Sequence, residues 1–236
     1  MSLSCSKSSS WSSAANIREE CQILTKRPCH VAFAVLEPGP ISFKDLANLM
    51  AWAIAAEIHT ISLYDVQGRI KDGEKQLAKA LGEAQSRLRS SSPPRIHWHP
   101  HRREEHLHHK NGHGHGHGHG HADGDPSVNI SLLSLPDGKG DIVRTARNLA
   151  KNVQSGEISV ENINEGLVDL LLETNRDLSD PELLIRLGEV DCNMGFCPWQ
   201  IRLTEIHSIR TLRDVPFADL FRILRIYSRC EKRFGK

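Results

Sequence analysis

The sequence has no run of about 18 apolar residues, the length a helix needs to cross a bilayer, so no spanning helix is expected. Its first residues, MSLSCSKSSSWSS, contain no apolar core of the kind a secretory signal requires. They read as a disordered, serine-rich leader over residues 1–27. Excess charge is missing too. Thirty Lys and Arg stand against 29 Asp and Glu, a formal net charge of +1, so nucleic acid is not an expected partner. The six cysteines (Cys5, Cys21, Cys29, Cys192, Cys197, Cys230) match neither zinc-ligand spacing nor a small disulfide framework, and read as free thiols in a reducing compartment. There is no G-x-S-x-G elbow and no phosphate-cradling P-loop, and nothing supports Ser/His/Asp or Cys/His catalysis.

What the sequence does contain is alternation. Short apolar runs at 29–36, 59–66, 128–135 and 181–188 read as strands, with a further strand expected within 201–209. Between and after them, helices are expected over 41–57, 139–154, 160–173 and 215–235, and residues 67–90 read as a turn followed by a charged amphipathic helix. Ser42 is placed to cap the first of these, with Asp45 three residues on. Strands apolar on both faces that alternate with helices predict an α/β fold, with a mostly parallel central sheet flanked by helices. Ligands in such sheets sit beyond the carboxyl ends of the strands, which directs attention to the loops after residues 36, 65 and 187.

Residues 91–127 break the alternation. Eleven of the 14 histidines lie between His97 and His121, five of them alternating with glycine. Imidazole suits Zn, Ni or Cu, but a glycine-spaced tract has no rigid geometry and no outer shell to orient its ligands. The expectation is a disordered His-rich insertion whose metal binding is incidental. A His-rich metal-buffering protein is the weaker alternative.

Two stretches and the terminus say more. CHVAFAVLEPGP covers residues 29–40, and DPELLIRLGEVDCNMGFCPWQIRLTEI covers 180–206. The last helix runs into Arg233-Phe234-Gly235. Together they resemble the cis-prenyltransferase family, which elongates isoprenoid diphosphates. Ile185, Arg186, Gly188, Phe196, Trp199, Gln200 and Glu205 fall into the family's register, and Arg233 to Gly235 match its closing R-x-G. The resemblance runs from about residue 28 to the end, across one domain (28–236) that residues 91–127 interrupt.

The departures are specific. With His30 as the start of the family's first motif, the position of its Mg²⁺-binding Asp holds Leu36, which has no oxygen to offer a hard cation. Glu37 is adjacent, but successive strand residues face opposite ways. Pro38, in the diphosphate cradle, has no N–H to donate. A diphosphate-binding Arg is replaced by Cys192, and a nearby Ser by Met194. No catalytic residue is therefore expected in this chain.

The resemblance is to the family's non-catalytic, Nogo-B-receptor-type subunits. It implies an accessory subunit of a dehydrodolichyl diphosphate synthase complex, which would extend farnesyl diphosphate with isopentenyl diphosphate and feed dolichol synthesis and protein glycosylation. It implies a catalytic cis-prenyltransferase subunit as partner, in a heterodimer or heterotetramer. The complex, a polyprenyl diphosphate synthase, would act on the cytosolic face of the endoplasmic reticulum membrane. Membrane association would come through an N-terminal segment missing here or through the partner. Mg²⁺ would be held mainly by that partner. Substrate-binding roles fall to Arg233, Gly235 and Arg186, and a metal role to Glu205. The tail is expected to reach across the interface to isopentenyl diphosphate in the partner's site. The alternative is a non-enzymatic receptor or scaffold on a degenerate prenyltransferase fold.

Overall fold

A computed structural model describes residues 13–89, 93–99, 127–172 and 178–231. Six strands form one parallel sheet: β1 (His30–Val35), β2 (Thr60–Asp65), β3 (Arg95–His99), β4 (Ser127–Leu133), β5 (Leu183–Leu187) and β6 (Glu205–Ile209), in the order β3-β4-β2-β1-β5-β6. The helices are α1 (Ala14–Cys21), α2 (Phe43–Ala55), α3 (Arg69–Asp72), α4 (Glu74–Arg87), α5 (Lys139–Gln154), α6 (Glu165–Leu171) and α7 (Phe217–Arg229). Every residue of β1 is buried, as a central strand covered on both faces requires.

Alternation along β1 divides the core. Val31, Phe33 and Val35 join the larger cluster, packed with Leu46, Leu49 and Met50 of α2, Leu77 and Leu81 of α4, and Phe217, Leu220 and Leu224 of α7. Ala32, Ala34 and Leu36 face the other way, into a smaller cluster with Tyr64, Leu133, Leu178, Leu184, Phe196 and Cys197. Helices build the first layer. On the second face, Phe196 and Cys197 come from an irregular segment after β5.

Several sequence expectations are corrected. The leader expected to be disordered over 1–27 contains α1. Ser13 caps it by accepting from the Asn16 N–H, and Ala14, Ile17 and Cys21, spaced i, i+3 and i+7, are buried. The insertion expected over 91–127 contains β3, which pairs in parallel with β4 from Arg95 opposite Ser127 to His99 opposite Ser131. Residues 100–126 of that insertion lie outside the described residues.

The helix expected after a turn within 67–90 comes in two pieces, α3 and α4, parted at Gly73, where an added Cβ would fall 2.1 Å from the Phe43 ring, so α4 begins against the first residue of α2. Residues 160–173 give a single 3₁₀ turn and then α6. The last strand is confined to Glu205–Ile209. The last helix stops at Arg229, because Cys230 turns to an extended conformation (ψ 125°).

His30 holds the amino end of β1. Its Nδ1–H donates to the Ser179 carbonyl at 2.7 Å, leaving Nε2 to accept from the Ser62 hydroxyl at 2.8 Å. Burial pushes its pKa down to about 4, against smaller opposing effects of the Ser179 and Asp180 backbone. The folded state therefore resists a proton that the unfolded chain takes up near pH 6.5. This contribution to stability is fully present above pH 6.5 and is lost as pH falls towards 4. At about 1.4 kcal/mol per pH unit it amounts to roughly 3 kcal/mol. Denaturant titrations between pH 7.5 and 4.5 should show a steeper fall in unfolding free energy for the native chain than for His30→Asn.

Candidate functional site

The carboxyl end of β1 is where the chemistry was sought. Leu36 continues the strand, its N–H donating to the Leu187 carbonyl at 2.8 Å, and its side chain lies 9% exposed in the smaller apolar cluster. Glu37 turns to the opposite side, where its Oε1 accepts from the Leu212 N–H at 2.7 Å. Gly188, at the end of β5, passes close by. Its φ is +133°, and a Cβ there would sit 3.2 Å from both the Glu37 N and the Leu36 carbonyl carbon. Glu37 therefore ties the β1 end to the loop before α7.

The loop that should cradle an anion offers little to one. Pro38 has no N–H, and Gly39 (φ +88°) completes a Pro-Gly turn. The Gly39 carbonyl accepts from the Arg69 guanidinium. Arg69 is also held through Nε by Asp65, at 3.3 Å. Asp65 is fully buried at the end of β2 and accepts from the N–H groups of Gln67, Arg69 and Ile70. Its carboxylate caps the turn into α3.

The segment after Gly188 closes over the same end. The Tyr64 hydroxyl donates to the Met194 carbonyl at 2.7 Å, and the Tyr64 and Phe196 rings meet edge to face at 5.3 Å. The Lys139 N–H donates to the Gly195 carbonyl at 2.9 Å, which ties the segment to the start of α5. Phe196 and Cys197 are fully buried, and burial pushes the Cys197 thiol up to about 12. Cys192 and Met194 are exposed. Gln200 is buried, and the Trp199 indole donates to Asp169 at 2.9 Å. The register residues of this stretch build a packed lid.

Arg186 stands on the same face as the smaller cluster, opposite Ala34 of β1. Its Nε donates to the Ser208 hydroxyl at 3.1 Å and its second nitrogen pairs with Asp191 at 2.6 Å. The Asp191 side chain is 91% exposed, so this ion pair is worth at most about 1 kcal/mol. Arg186 is thus held by an easily exchanged partner, as is Arg210 just beyond β6, which pairs with the exposed Glu189 at 2.7 Å.

Glu205 is elsewhere. It begins β6 opposite Leu183, whereas Arg186 lies opposite Ser208. Three residues along a strand is about 10 Å, and odd spacing puts the two side chains on opposite faces. Burial raises the Glu205 pKa, but hydrogen bonds from Cys230 and His207 and the charges of His207 and Lys26 together hold it below the usual carboxylate value. His207 Nε2 lies 2.8 Å from its Oε1. A carboxylate facing an ammonium and an imidazole does not fit Mg²⁺, which requires several oxygen donors. No cluster of three His, Cys, Asp or Glu able to hold a metal is found among the described residues. The structure brings neither Leu36 and Glu205 nor Arg186 and Glu205 together.

Arg233 and Gly235 lie outside the described residues, with Phe234. Their root is described. The Thr25 hydroxyl donates to the Ser228 carbonyl at 2.6 Å, and the Lys26 ammonium donates to the Cys230 carbonyl. Sequence reasoning missed Lys26 and Thr25, because a lysine before a strand carries no signal of a helix end some 200 residues away. A cavity of about 410 Å³ also lies at the amino end of the sheet, walled by Ala14, Ile54, Leu88 and Val128, away from Arg186.

Comparison with known proteins bears on the family and the fold. The prenyltransferase family model described as undecaprenyl diphosphate synthase matches residues 119–235. Dehydrodolichyl diphosphate synthase complex subunit Nus1 of Mus musculus is 31% identical over 220 residues, which cover 93% of this chain and 69% of that one. Isoprenyl transferase of Chlamydia pneumoniae is 35% identical over 100 residues, 42% of this chain and 40% of that one. Among solved structures, lavandulyl diphosphate synthase from Lavandula x intermedia superposes with a TM-score of 0.54 at 17% identity, over 89% of this chain and 99% of that one. The likeness to the complex subunit thus spans nearly the whole chain, and the likeness to this isoprenyl transferase less than half.

Restoring the missing carboxylate should fail. Leu36→Asp buries a carboxyl group among the apolar side chains of Leu184, Phe196 and the Tyr64 ring. We expect a loss of at least ~2 kcal/mol in chemical denaturation, and no chain elongation by the purified variant alone.

Proposed function

Because the chain belongs to the cis-prenyltransferase family, among the dehydrodolichyl diphosphate synthase complex subunits, we propose that it serves as the accessory subunit of such a complex and that its own carboxyl-end site is inactive. Its partner would be a catalytic cis-prenyltransferase that holds the Mg²⁺ and the growing chain. Farnesyl diphosphate would be the starter and isopentenyl diphosphate the extender, and the product would feed dolichol synthesis and protein glycosylation. The complex would act at the cytosolic face of the endoplasmic reticulum membrane. No helix among the described residues is long and apolar enough to cross a membrane.

The observation that carries this reading is where the tail leaves the domain. Cys230 is held by Lys26, which precedes β1, so the chain departs from the amino end of the sheet. Arg233 lies three residues further on, about 11 Å at full extension. Leu36 is a whole six-residue strand away, roughly 20 Å. The R-x-G motif falls short of the chain's own carboxyl end and is better placed to serve another subunit. The surface beside it suits a partner: β6 is the outermost strand on this side, Ile206 on it and Leu203 just before it are exposed, and so is Ile226 of α7.

On this reading the Arg233 guanidinium and the Gly235 amide would contact isopentenyl diphosphate in the partner's site. One charged hydrogen bond to diphosphate is worth about 1.5–3 kcal/mol, or roughly 10- to 150-fold in rate. Co-expression with a catalytic subunit, followed by affinity capture and a polyprenyl synthesis assay, tests it. Removal of residues 233–236, or Gly235→Ala, should cut turnover at least tenfold while the complex still assembles, and the isolated chain should make no product. Full turnover by the truncated complex, or a stable homodimer that ignores the catalytic subunit, would favour the scaffold reading instead.

A further inference from the structure

The cavity at the amino end of the sheet, about 410 Å³, has the volume of a small-ligand pocket. Helix α1 walls one side of it and is pinned there, because the Ala14 N–H donates to the Leu88 carbonyl at the end of α4 at 2.8 Å. Small side chains leave the space. Ala14 lines it from α1, and Ala51 and Ala55, one turn apart, line it from α2. Ile54, Leu88 and Val128 add bulkier hydrocarbon. Nearer the carboxyl end the same layer is filled by Leu46 and Leu49 of α2 and Leu77 of α4, all fully buried. The cavity is therefore separate from Leu36 and Arg186.

One lining residue breaks the apolar pattern. The buried stripe of α4 is Leu77, Leu81 and Ala84, continued by Leu88, at i, i+4, i+7 and i+11. Gln85 follows Leu81 by one turn and lines the cavity, and its amide Nε2 is buried with no hydrogen-bond partner among the described residues. A buried donor left unpaired is destabilising, whereas leucine would suit this stripe without that cost. An acceptor held inside the cavity would remove it.

The rim also offers donors. Arg18, one turn after Ala14, is exposed and pairs with no carboxylate among the described residues. His59 lies in the turn before β2. Glu57 in the same turn is already paired with Arg27 at 2.6 Å. The groups still available are those that suit an oxygen anion.

We propose that this cavity binds a single-chain amphiphile with an anionic oxygen head. Its hydrocarbon lies against Ala51, Ala55 and Val128, Gln85 donates to an oxygen of the head, and Arg18 meets its charge. At roughly 30 Å³ per non-hydrogen atom, the share of a water in the liquid, there is room for about 14 such atoms, the size of dodecanoate.

Calorimetric titration and thermal melts of the full chain test this, with dodecanoate below its micellar concentration and dodecanol as the uncharged control. The native chain should bind a single dodecanoate, melt higher in its presence, and bind dodecanol roughly tenfold more weakly. Arg18→Gln should lower dodecanoate affinity to about the dodecanol level and leave the ligand-free melting temperature unchanged. Gln85→Leu should raise the ligand-free melting temperature and weaken dodecanoate roughly tenfold. Ala55→Leu fills the cavity and should abolish binding. Should that variant not fold, Ala51→Val, a smaller addition to the same wall, takes its place. Absence of binding to the native chain would overturn the proposal, and a more stable Gln85→Leu chain would then mark the cavity as one that holds only water. Dodecanoate binding that the Gln85 and alanine substitutions leave unchanged would be adsorption elsewhere on the surface, and would overturn it too.

Discussion

The Tyr64 hydroxyl donates to the Met194 carbonyl, and the Tyr64 ring meets Phe196 edge to face. This contact decides what the carboxyl end of the sheet can be. In an all-parallel sheet every strand ends at one edge, and ligands collect there if the loops leave a crevice. Here the segment after Gly188 is drawn down onto β2 instead, with Phe196 and Cys197 fully buried beneath it. Leu36 completes the apolar filling. Position 36 thus offers no oxygen to a metal. An aspartate there would be a charge moved from water into an apolar cluster, so loss of the carboxylate and closure of the segment are mutually consistent.

The polar groups that remain at this end are arranged to hold the protein together. Asp65 is spent on three backbone N–H groups and Arg69, and Arg69 in turn on the Gly39 carbonyl. Glu37 caps Leu212. Arg186 and Arg210 differ, because their carboxylate partners, Asp191 and Glu189, are largely exposed. An exposed ion pair is weak enough for another anion to displace. Arg186 thus keeps a capacity to meet an anion at the rim, which the buried groups around it have given up.

Much of this was legible in the sequence, and the failures have physical causes. The parallel core was legible because buried strands such as β1 and β2 are largely apolar on both faces and bounded by turns. The loss of the metal position was legible because leucine has no lone pair. α1 was missed because only three of its eight residues are buried, too few to stand out from a serine-rich leader. β3 was missed because an edge strand needs only one packed face, and its sequence, RIHWH, merges into the histidine tract. The placement of Glu205 could not be read at all. Family register names the residue, but which end and which face of the sheet it occupies depends on strand pairing, and its neighbours Lys26 and Cys230 come from opposite ends of the chain.

The two ends of the sheet therefore carry different kinds of order. The carboxyl end is packed with hydrocarbon and capped turns, as a surface relieved of chemistry can be. The amino end keeps a charged assembly of Lys26, Glu205 and His207, held together around the last turn of α7. A helix end is capped more simply by one glycine. Here two segments, Thr25–Lys26 and Glu205–His207, meet at it instead, so the end of α7 is fixed both to the approach to β1 and to the start of β6.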